Sequence, residues 1–493
     1  MRPINPHTKT VGDLARFLSL ESESAISFSG LTSSTKNLES GDLFIAMPGF
    51  KTHGAQFIDE AIRKGAVAVL TDDKGAEIIG DKLPLLRTQE VRGVTGDVAA
   101  WFYGRPFSAL STIGITGTNG KTTTASLLFQ LWQAQNRVVG MIGTVGITID
   151  LDTYPGSFTT PEAPELQETV AAMRERCLTH LVMEVSSHAL SEKRVRGAHF
   201  DIAAFTNLTQ DHLDFHGTME SYFAAKALLF TQEYASEAII NIDDPWGEKL
   251  AAHTALPMTS LSREKRSADW HYTSIHRLAS GGYDLSIRGI GGILIEGRTH
   301  LVGDHNLDNL LMAVAIGYAS GLDPLAMGHD FAQLRGAPGR LESINLGQKF
   351  LALVDFAHTP DAVARALQAV REVTAGCVIA VLGCGGDRDP GKRPLMGAAL
   401  VQGSDYAIFT SDNPRSEDPN VILRKMVNGI SEGENIAIEV NRRSAIALAV
   451  MQAMPGDTVV ILGKGHEKGQ EIHGVKEPFD DRIELAKAIE ELA

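Results

Sequence analysis

One short run concentrates residue types that handle phosphate: Thr116-Gly117-Thr118-Asn119-Gly120-Lys121-Thr122-Thr123. Its glycines let the backbone turn so that N–H groups converge on phosphate oxygens, and a helix starting at the lysine would add partial positive charge. Lys121 can reach terminal phosphates, and the Thr122 hydroxyl can ligate magnesium. The longer phosphate-loop pattern has another glycine five positions before the second one. Here that position is Ile115, so the match is to the shorter Gly-x-x-Gly-Lys-Thr. An ordinary glycine-rich turn could have the same composition. The β-branched stretch from Ser111 to Thr116 and the helical pattern from Lys121 to Gln135 supply the strand-and-helix context the motif requires, so the run predicts ATP binding.

Two further polar segments follow strand-like apolar runs: Glu184-Val185-Ser186-Ser187-His188 and Thr206-Asn207-Leu208-Thr209-Gln210-Asp211-His212. Ligands of open α/β sheets gather beyond the carboxyl ends of strands, which puts Glu184 and His212 where a nucleotide-bound metal would lie. A plainer reading has Glu184 ending a strand and His212 capping a helix. Lys226, taken locally within Tyr222-Phe223-Ala224-Ala225-Lys226, reads as a solvated helix lysine.

The elements that must position these residues form a three-part α/β chain. The length of 493 residues suits about three domains. In residues 1–110, strands are expected at Leu43 to Ala46 and Ala66 to Leu70, with a helix from Gln56 to Lys64 between them and a turn at Tyr103-Gly104-Arg105-Pro106. Residues 111–335 repeat strand and helix as a mostly parallel sheet, with further strands at His180 to Val185, Ile202 to Thr206 and Ala238 to Ile242. Trp270 to Leu301 reads as antiparallel hairpins, followed by a helix from about Asn309 to Ser320. Residues 336–493 form a Rossmann-like α/β domain, with strands at Leu351 to Asp355, Val378 to Leu382, Ala407 to Thr410 and Thr458 to Leu462 and a helix from Ala362 to Val373.

Composition narrows the function classes. Sixty acidic against 45 basic residues give a net charge of −15, which argues against general nucleic-acid binding. Three cysteines, Cys177, Cys377 and Cys384, make neither a disulfide framework nor a zinc site, and Cys384 reads as a small strand-end residue. No apolar run approaches the ~20 residues that cross a bilayer, and no signal-peptide pattern opens the chain. A cytoplasmic protein is expected.

Taken together the segments resemble the Mur ligase family. Gly117 to Thr123, Glu184 to His188, Thr206 to His216, Tyr222 to Lys226, His305 to Asn309, Gly339 to Glu342, Asp355 to Pro360 and Gly463 to Glu467 recur there in this order, over nearly the whole chain. The resemblance implies a uridine-nucleotide-binding first domain, an ATP-binding central domain and a C-terminal domain for the incoming amino acid. It also implies amide-bond formation through an acyl phosphate during peptidoglycan precursor synthesis. Gly117, Thr118, Asn119, Gly120, Lys121, Thr122 and Thr123 would bind the triphosphate, and Asn306, Asn309, Arg340 and Asp355 the adenosine portion. Thr122 and Glu184 resemble ligands of one magnesium, and His212 and Lys226 of a second. The matching lysine is carbamylated in the family, which turns a cation into an oxygen donor suited to magnesium and reverses the local reading of Lys226.

For the UDP-muramoyl-dipeptide, the resemblance implicates Ser33, Thr35, Thr159, Thr160, Ser186 and Arg194. Ser33 to Lys36 stand where the family more often has Asp-Ser-Arg, and Glu192 where it has Gln, a negative charge unfavourable near an anionic substrate unless paired or turned outward. Phe50 to His53 fall in a further substrate loop without individual roles. Arg388, Asp412, Asn413, Pro414, Arg415, Gly463 and Glu467 match the amino-acid pocket of the diaminopimelate-adding type. There Arg415 would pair with the distal carboxylate of meso-diaminopimelate through two charge-assisted hydrogen bonds, and Glu467 with its ammonium. Without the resemblance, Asp412-Asn413-Pro414-Arg415 is a polar turn after a strand. Lysine- or ornithine-adding relatives, a folylpolyglutamate synthetase-like ligase and, more remotely, a nucleotide-controlled binding module are the alternatives. Small-molecule substrates, no nucleic acid, no membrane insertion and a monomeric state are expected.

Overall fold

Four runs near the N-terminus, Gly30–Thr32, Asp42–Ala46, Ala68–Thr71 and Leu85–Arg87, form a parallel sheet in sequence order. The structure is a computed structural model, and it describes every residue except 6, 50, 51, 151, 157, 279–281, 431, 432 and 493. Each residue from Asp42 to Ala46 is buried, as a parallel sheet covered on both faces requires. The helical stretch expected at Gln56 is a 3-10 turn, Gly54–Phe57, running into an α-helix, Ile58–Arg63. A helix at Val91–Phe102 packs Val98, Ala99 and Phe102 into the core with Leu43, Ile45 and Leu70. It stops at the Tyr103-Gly104 turn, where Gly104 and Arg105 take positive φ.

The chain divides into two compact units, Met1–Trp270 with Met312–Leu322, and His271–Leu311 with Asp323–Ala493. The first contains, besides the N-terminal sheet, strands in the order Asp152–Tyr154, Gly146–Ile149, Val139–Gly143, His180–Glu184, Ser111–Thr116, Phe200–Phe205, Ala235–Asn241 and Met258–Ser262. From Val139–Gly143 onward neighbours are parallel, and the first two strands are an antiparallel edge hairpin. Ser111–Thr116 lies at the centre, with Glu184 opposite Ile115 on one side and Phe205 opposite Thr116 on the other. This register brings the carboxyl ends of three strands to one edge, and with them the phosphate loop, Glu184 and Thr206. The strand Val139–Gly143 was not expected, because its glycines interrupt a short apolar run.

Farther along the chain, Trp270–Arg277, Tyr283–Arg288 and Leu294–Thr299 form the anticipated antiparallel meander. The following helix, Asp304–Ala319, begins five residues before the expected Asn309. Its first turn is polar in sequence, yet Asn306 and Leu307 are buried. The C-terminal sheet runs Glu342–Ser343, Leu351–Asp355, Thr458–Leu462, Val378–Cys384, Tyr406–Ser411, Ile436–Ile438, parallel except for the first pair. The helix Pro360–Val373 is capped by the Thr359 hydroxyl and buries Val363, Ala366, Leu367 and Val370 at helical spacing. A final hairpin, Gly469–Ile472 with Val475–Pro478, precedes the helix Asp481–Leu492. Asp355 and Leu462 are register partners, as are Cys384 and Ser411. The segments after these four strand ends therefore share one edge of the sheet. No described helix is long and apolar enough to cross a membrane.

Candidate active site

The phosphate loop is fixed from the side by the strand end at Thr206. Thr118 N donates to Asn207 O at 2.9 Å, Asn119 N to Asn207 Oδ1 at 2.9 Å, and Thr206 Oγ1 to Asn119 O at 2.6 Å. Gly117 has φ +147°, and a Cβ there would sit 1.9 Å from Thr206 Oγ1, so only glycine fits. Gly120, at φ +86°, opens the helix Lys121–Ala134, whose N-terminal N–H groups and partial positive charge suit an anion. Lys121 Nζ donates to Gly117 O and Thr118 O, both at 2.9 Å, so its ammonium lies folded over the loop.

Glu184 ends its strand and is wholly buried. Its carboxylate accepts from Thr122 Oγ1 at 2.9 Å, Thr144 N at 2.8 Å and Thr144 Oγ1 at 3.2 Å. A hard cation takes oxygen donors, and the Thr122 hydroxyl beside the Glu184 carboxylate is such a donor set, so these residues fit magnesium. Thr144 carries no motif in the sequence, and the glycines of Val139–Gly143 hide the strand that positions it. Its signal is the position just past the carboxyl end of a central strand.

Lys226 is 2% exposed, against the solvated reading of its local sequence. Its Nζ donates to Gly117 O at 2.8 Å and lies 4.7 Å from the Tyr222 ring centre. The Tyr222 hydroxyl is 3.2 Å from Thr118 Oγ1. Burial, and then the nearby Lys121 ammonium, push the Lys226 amine well below the ordinary lysine range. His212 occupies the N-cap position of the short helix Leu213–His216 at φ +51°, but its side chain makes no capping hydrogen bond. Instead its ring stands 4.8 Å from that of His188 and 6.2 Å from that of Tyr222.

The residues expected to meet the muramoyl-dipeptide adjoin this group. Thr160 Oγ1 donates to Glu184 O at 2.9 Å and accepts from Ser186 N at 3.0 Å, and Thr159 Oγ1 is 3.2 Å from Thr144 Oγ1. Arg194 Nε lies 3.0 Å from Glu162 Oε1 as an ion pair outside hydrogen-bond alignment, and its NH2 pairs directly with Glu192. Arg92 also faces Glu162, at 3.6 Å. Glu192 is therefore paired with the arginine expected to meet substrate. Ser33 and Thr35 are half-buried in the loop after Gly30–Thr32, where Lys64 Nζ donates to Thr35 O at 2.5 Å. Phe50 and Lys51 lie outside the described residues, while His53 is buried and its Nε2 is 3.0 Å from Asp72 Oδ1.

In the second unit, Asn306 Nδ2 donates to Val302 O at 2.8 Å and its Oδ1 accepts from Asn309 Nδ2 at 3.1 Å. Asp355 is buried, and its two oxygens accept from Leu341 N and Ala357 N, each at 2.8 Å. Burial pushes its carboxyl up, opposed by Arg340 and these two N–H groups. The Arg340 guanidinium lies over the Phe356 ring at 5.3 Å.

The strand ends at Cys384, Ser411 and Leu462 gather the third group. Asp412, Asn413, Pro414 and Gly463 are buried, Arg415 and Glu467 half-buried, and Arg388 exposed. Gly463 has φ +115°, and a Cβ there would meet Asp412 Oδ2 at 2.8 Å. Arg415, also at positive φ, donates from NH1 to Gly386 O at 2.6 Å, and its Nε lies 3.7 Å from Glu471 Oε2. Positive φ is uncommon for a bulky residue, and here the backbone is held by the hydrogen bonds Arg415 N to Glu471 O at 3.0 Å and His473 N to Arg415 O at 2.6 Å. Burial raises the Glu467 carboxyl, but the Lys464 ammonium, with hydrogen bonds from Lys464 and Asn413, brings it below the ordinary glutamate range. Cys384 ends its strand in the core, where burial pushes its thiol up to about 12, away from the thiolate form that reacts.

Three family models match the chain: the "Mur ligase family, catalytic domain" model at residues 27–103, the Mur ligase middle domain at 115–317, and the Mur ligase glutamate ligase domain at 339–465. The UDP-N-acetylmuramoyl-L-alanyl-D-glutamate–2,6-diaminopimelate ligase of Streptomyces avermitilis is 46% identical over 472 residues, covering 94% of this chain and 92% of that protein. Its counterpart from Streptomyces coelicolor is 43% identical over 498 residues, covering 99% and 98%. A solved structure of a ligase of the same name superposes with a TM-score of 0.72 at 33% identity, covering 98% of this chain and 99% of that one.

Proposed function

The chain belongs to the Mur ligase family, and on that premise we propose that it joins meso-2,6-diaminopimelate to UDP-N-acetylmuramoyl-L-alanyl-D-glutamate at the expense of ATP. The observation that carries the reading is the pocket at the C-terminal sheet edge. There a guanidinium, Arg415, and a carboxylate, Glu467, follow the two strands that flank Val378–Cys384, with Asn413 of the first loop hydrogen-bonded to Glu467 of the second, and together they complement a ligand ending in both a carboxylate and an ammonium. Lysine or ornithine would bring no distal carboxylate to Arg415, the kind of polar mismatch that sites built for a hydrogen-bonding group reject by about 10⁴ or more. The N-terminal domain matched at residues 27–103 favours a uridine-nucleotide substrate over a folylpolyglutamate synthetase-like reaction.

The γ-carboxylate of D-glutamate attacks the terminal phosphorus of ATP, the bond from that phosphorus to ADP breaks, and an acyl phosphate forms. The neutral amine of diaminopimelate then attacks the acyl carbon, phosphate leaves, and the amine loses a proton as the amide forms. Bound magnesium would neutralise phosphate charge during the first transfer. Thr122 and Glu184 would hold one ion, and His212 with carbamylated Lys226 a second. Lys121 and the helix N-terminus steady the transferring phosphoryl group by charge that is already in place. The low basicity of Lys226 supports the carbamate, because the neutral amine is the form that adds to carbon dioxide, releasing a proton. Asn306, Asn309, Arg340 and Asp355 are assigned to the adenosine portion, and Ser33, Thr35, Thr159, Thr160, Ser186 and Arg194 to the muramoyl-dipeptide. Asp412, Asn413, Pro414, Gly463 and Arg388 shape the amino-acid pocket. We place the protein in the cytoplasm, as a monomer with three domains at 1–110, 111–335 and 336–493.

The test is phosphate release by the purified protein with ATP, magnesium and the UDP-muramoyl-dipeptide, comparing meso-diaminopimelate, lysine and ornithine. Release with diaminopimelate alone is expected. Release with lysine or ornithine instead overturns the pocket assignment, and release independent of any amino acid overturns the ligase reading.

A further inference from the structure

Lys464 is the one charged residue of the Gly463-Lys464-Gly465-His466-Glu467 segment that the proposed chemistry leaves without a task, although its side chain is completely buried. Burying an ammonium is costly unless its donors are all met. An ammonium has three. Here Nζ donates to Asn413 Oδ1 at 3.1 Å, to Glu467 Oε2 at 3.0 Å and to Gly469 O at 2.8 Å.

Those three acceptors belong to three different segments at this edge of the sheet. Asn413 lies in the loop after the strand Tyr406–Ser411, Glu467 in the turn after Thr458–Leu462, and Gly469 opens the strand of the final hairpin. The same residues are then tied to one another. Asn413 Nδ2 donates to Glu467 Oε2 at 2.8 Å, and Asn413 Oδ1 also accepts from Glu471 N at 3.0 Å. Further along the hairpin, Arg415 N donates to Glu471 O at 3.0 Å, and His473 N to Arg415 O at 2.6 Å. Gln470 Nε2 donates to Asp412 O at 2.6 Å. Both hydrogen bonds to the Glu467 carboxylate fall on Oε2. Among the described residues none falls on Oε1, so one oxygen remains for a cation brought by a ligand.

We propose that Lys464 is a positioning residue for amino-acid recognition: it fixes the Glu467 carboxylate, and with it Asn413, in the orientation that receives the distal ammonium of the incoming amino acid. The proposal rests on the reading of this pocket as the diaminopimelate site. Lys464 does not touch the ligand. It acts through Glu467, whose second oxygen it occupies, and through the backbone of the hairpin that also holds Arg415.

The test compares steady-state kinetics of the unsubstituted protein, Lys464→Met, Glu467→Gln and the double variant, with melting curves for each. Methionine keeps the length of the side chain and removes its charge and donors. Removing one partner of a buried charge pair is costly, so the KM for diaminopimelate should rise at least about tenfold in Lys464→Met. The KM values for ATP and the UDP-muramoyl-dipeptide should stay within about twofold, a split that loss of folded protein alone does not produce. Because Lys464 acts through Glu467, the double variant should have a diaminopimelate KM within about threefold of Glu467→Gln, as expected of coupled residues. That comparison also decides the matter if Lys464→Met fails to fold, since the double variant carries no uncompensated carboxylate. An unchanged diaminopimelate KM in Lys464→Met, or a further rise of about tenfold in the double variant over Glu467→Gln, overturns the positioning role. Absence of diaminopimelate-dependent turnover in the unsubstituted protein overturns the underlying reading of the pocket, and this proposal with it.

Discussion

Thr122 donates its hydroxyl to Glu184 Oε2 at 2.9 Å across 62 positions of sequence, joining the first turn of the phosphate-loop helix to the end of the adjacent strand. Glu184→Gln keeps the shape of the side chain and removes its charge, and Thr122→Ala removes the hydroxyl. Each is expected to lower turnover by about 10²-fold or more, with the magnesium concentration for half-maximal rate raised. Phosphate release measured across a magnesium titration checks this. An unaltered magnesium profile would remove both residues from the metal site.

Lys226 is held by Gly117 O inside the protein, so its replacement leaves a polar space beside the phosphate loop. Lys226→Ala should lose about 10²-fold or more in rate, in the range seen when one group stabilising transferred charge is deleted. Added formate or acetate should restore part of it by supplying the missing oxygens. Mass spectrometry of the intact protein under ¹³C-bicarbonate checks the carbamate directly. Full activity without any added carboxylate would return Lys226 to a packing role.

Arg194 stands between two carboxylates, Glu162 and Glu192. Glu192→Gln removes one of them, leaving more of the guanidinium charge for an anionic substrate. The KM for the UDP-muramoyl-dipeptide should fall by roughly two- to fivefold, the scale of a partly exposed ion pair. The gain should shrink as salt is raised. A higher KM would mean that Glu192 orients Arg194 rather than competing for it.

Glu417 clamps the nearly buried Arg393 through two hydrogen bonds, of 2.7 and 2.9 Å, and accepts from Asp387 N at 2.7 Å. The Arg393 hydrogen bonds, then that from Asp387 N, hold its carboxyl at about 2, below the ordinary glutamate value of 4.5. A carboxyl whose folded value is depressed contributes stability above its unfolded value and loses it as the pH falls toward the folded one. The Tm difference between the unsubstituted protein and Glu417→Gln should therefore be constant above about pH 5 and narrow from there down toward about pH 2. A constant difference across that range would show that Glu417 has no such linkage.

Much of the fold was legible because its strands are short and uniformly apolar. Leu351–Asp355 and Thr458–Leu462 lie where the sequence puts them, and Ser111–Thr116 is flanked as the phosphate-loop motif requires. The edge hairpin Gly146–Ile149 and Asp152–Tyr154 and the strand Val139–Gly143 are not legible in the sequence, since glycines and polar residues break their patterns, and the position of Thr144 depends on them. The polar first turn of Asp304–Ala319 hid a helix start for the same reason, its amides being paired inside rather than exposed.

By itself the sequence determined what is contiguous: the phosphate loop, the order of strands and helices, the chemical types grouped at each motif, and through their order the family. Only the tertiary structure decided which of those types are buried and which distant groups they meet. Lys226 reads as a surface lysine until the fold sets it against Gly117, 109 positions away. Lys464 acquires its role from Asn413, 51 positions away, and Glu192 from a neighbouring arginine turned to face it. The physical reason is that desolvation and charge pairing depend on separation in space. Parallel strand order, which only long crossovers can complete, sets that separation.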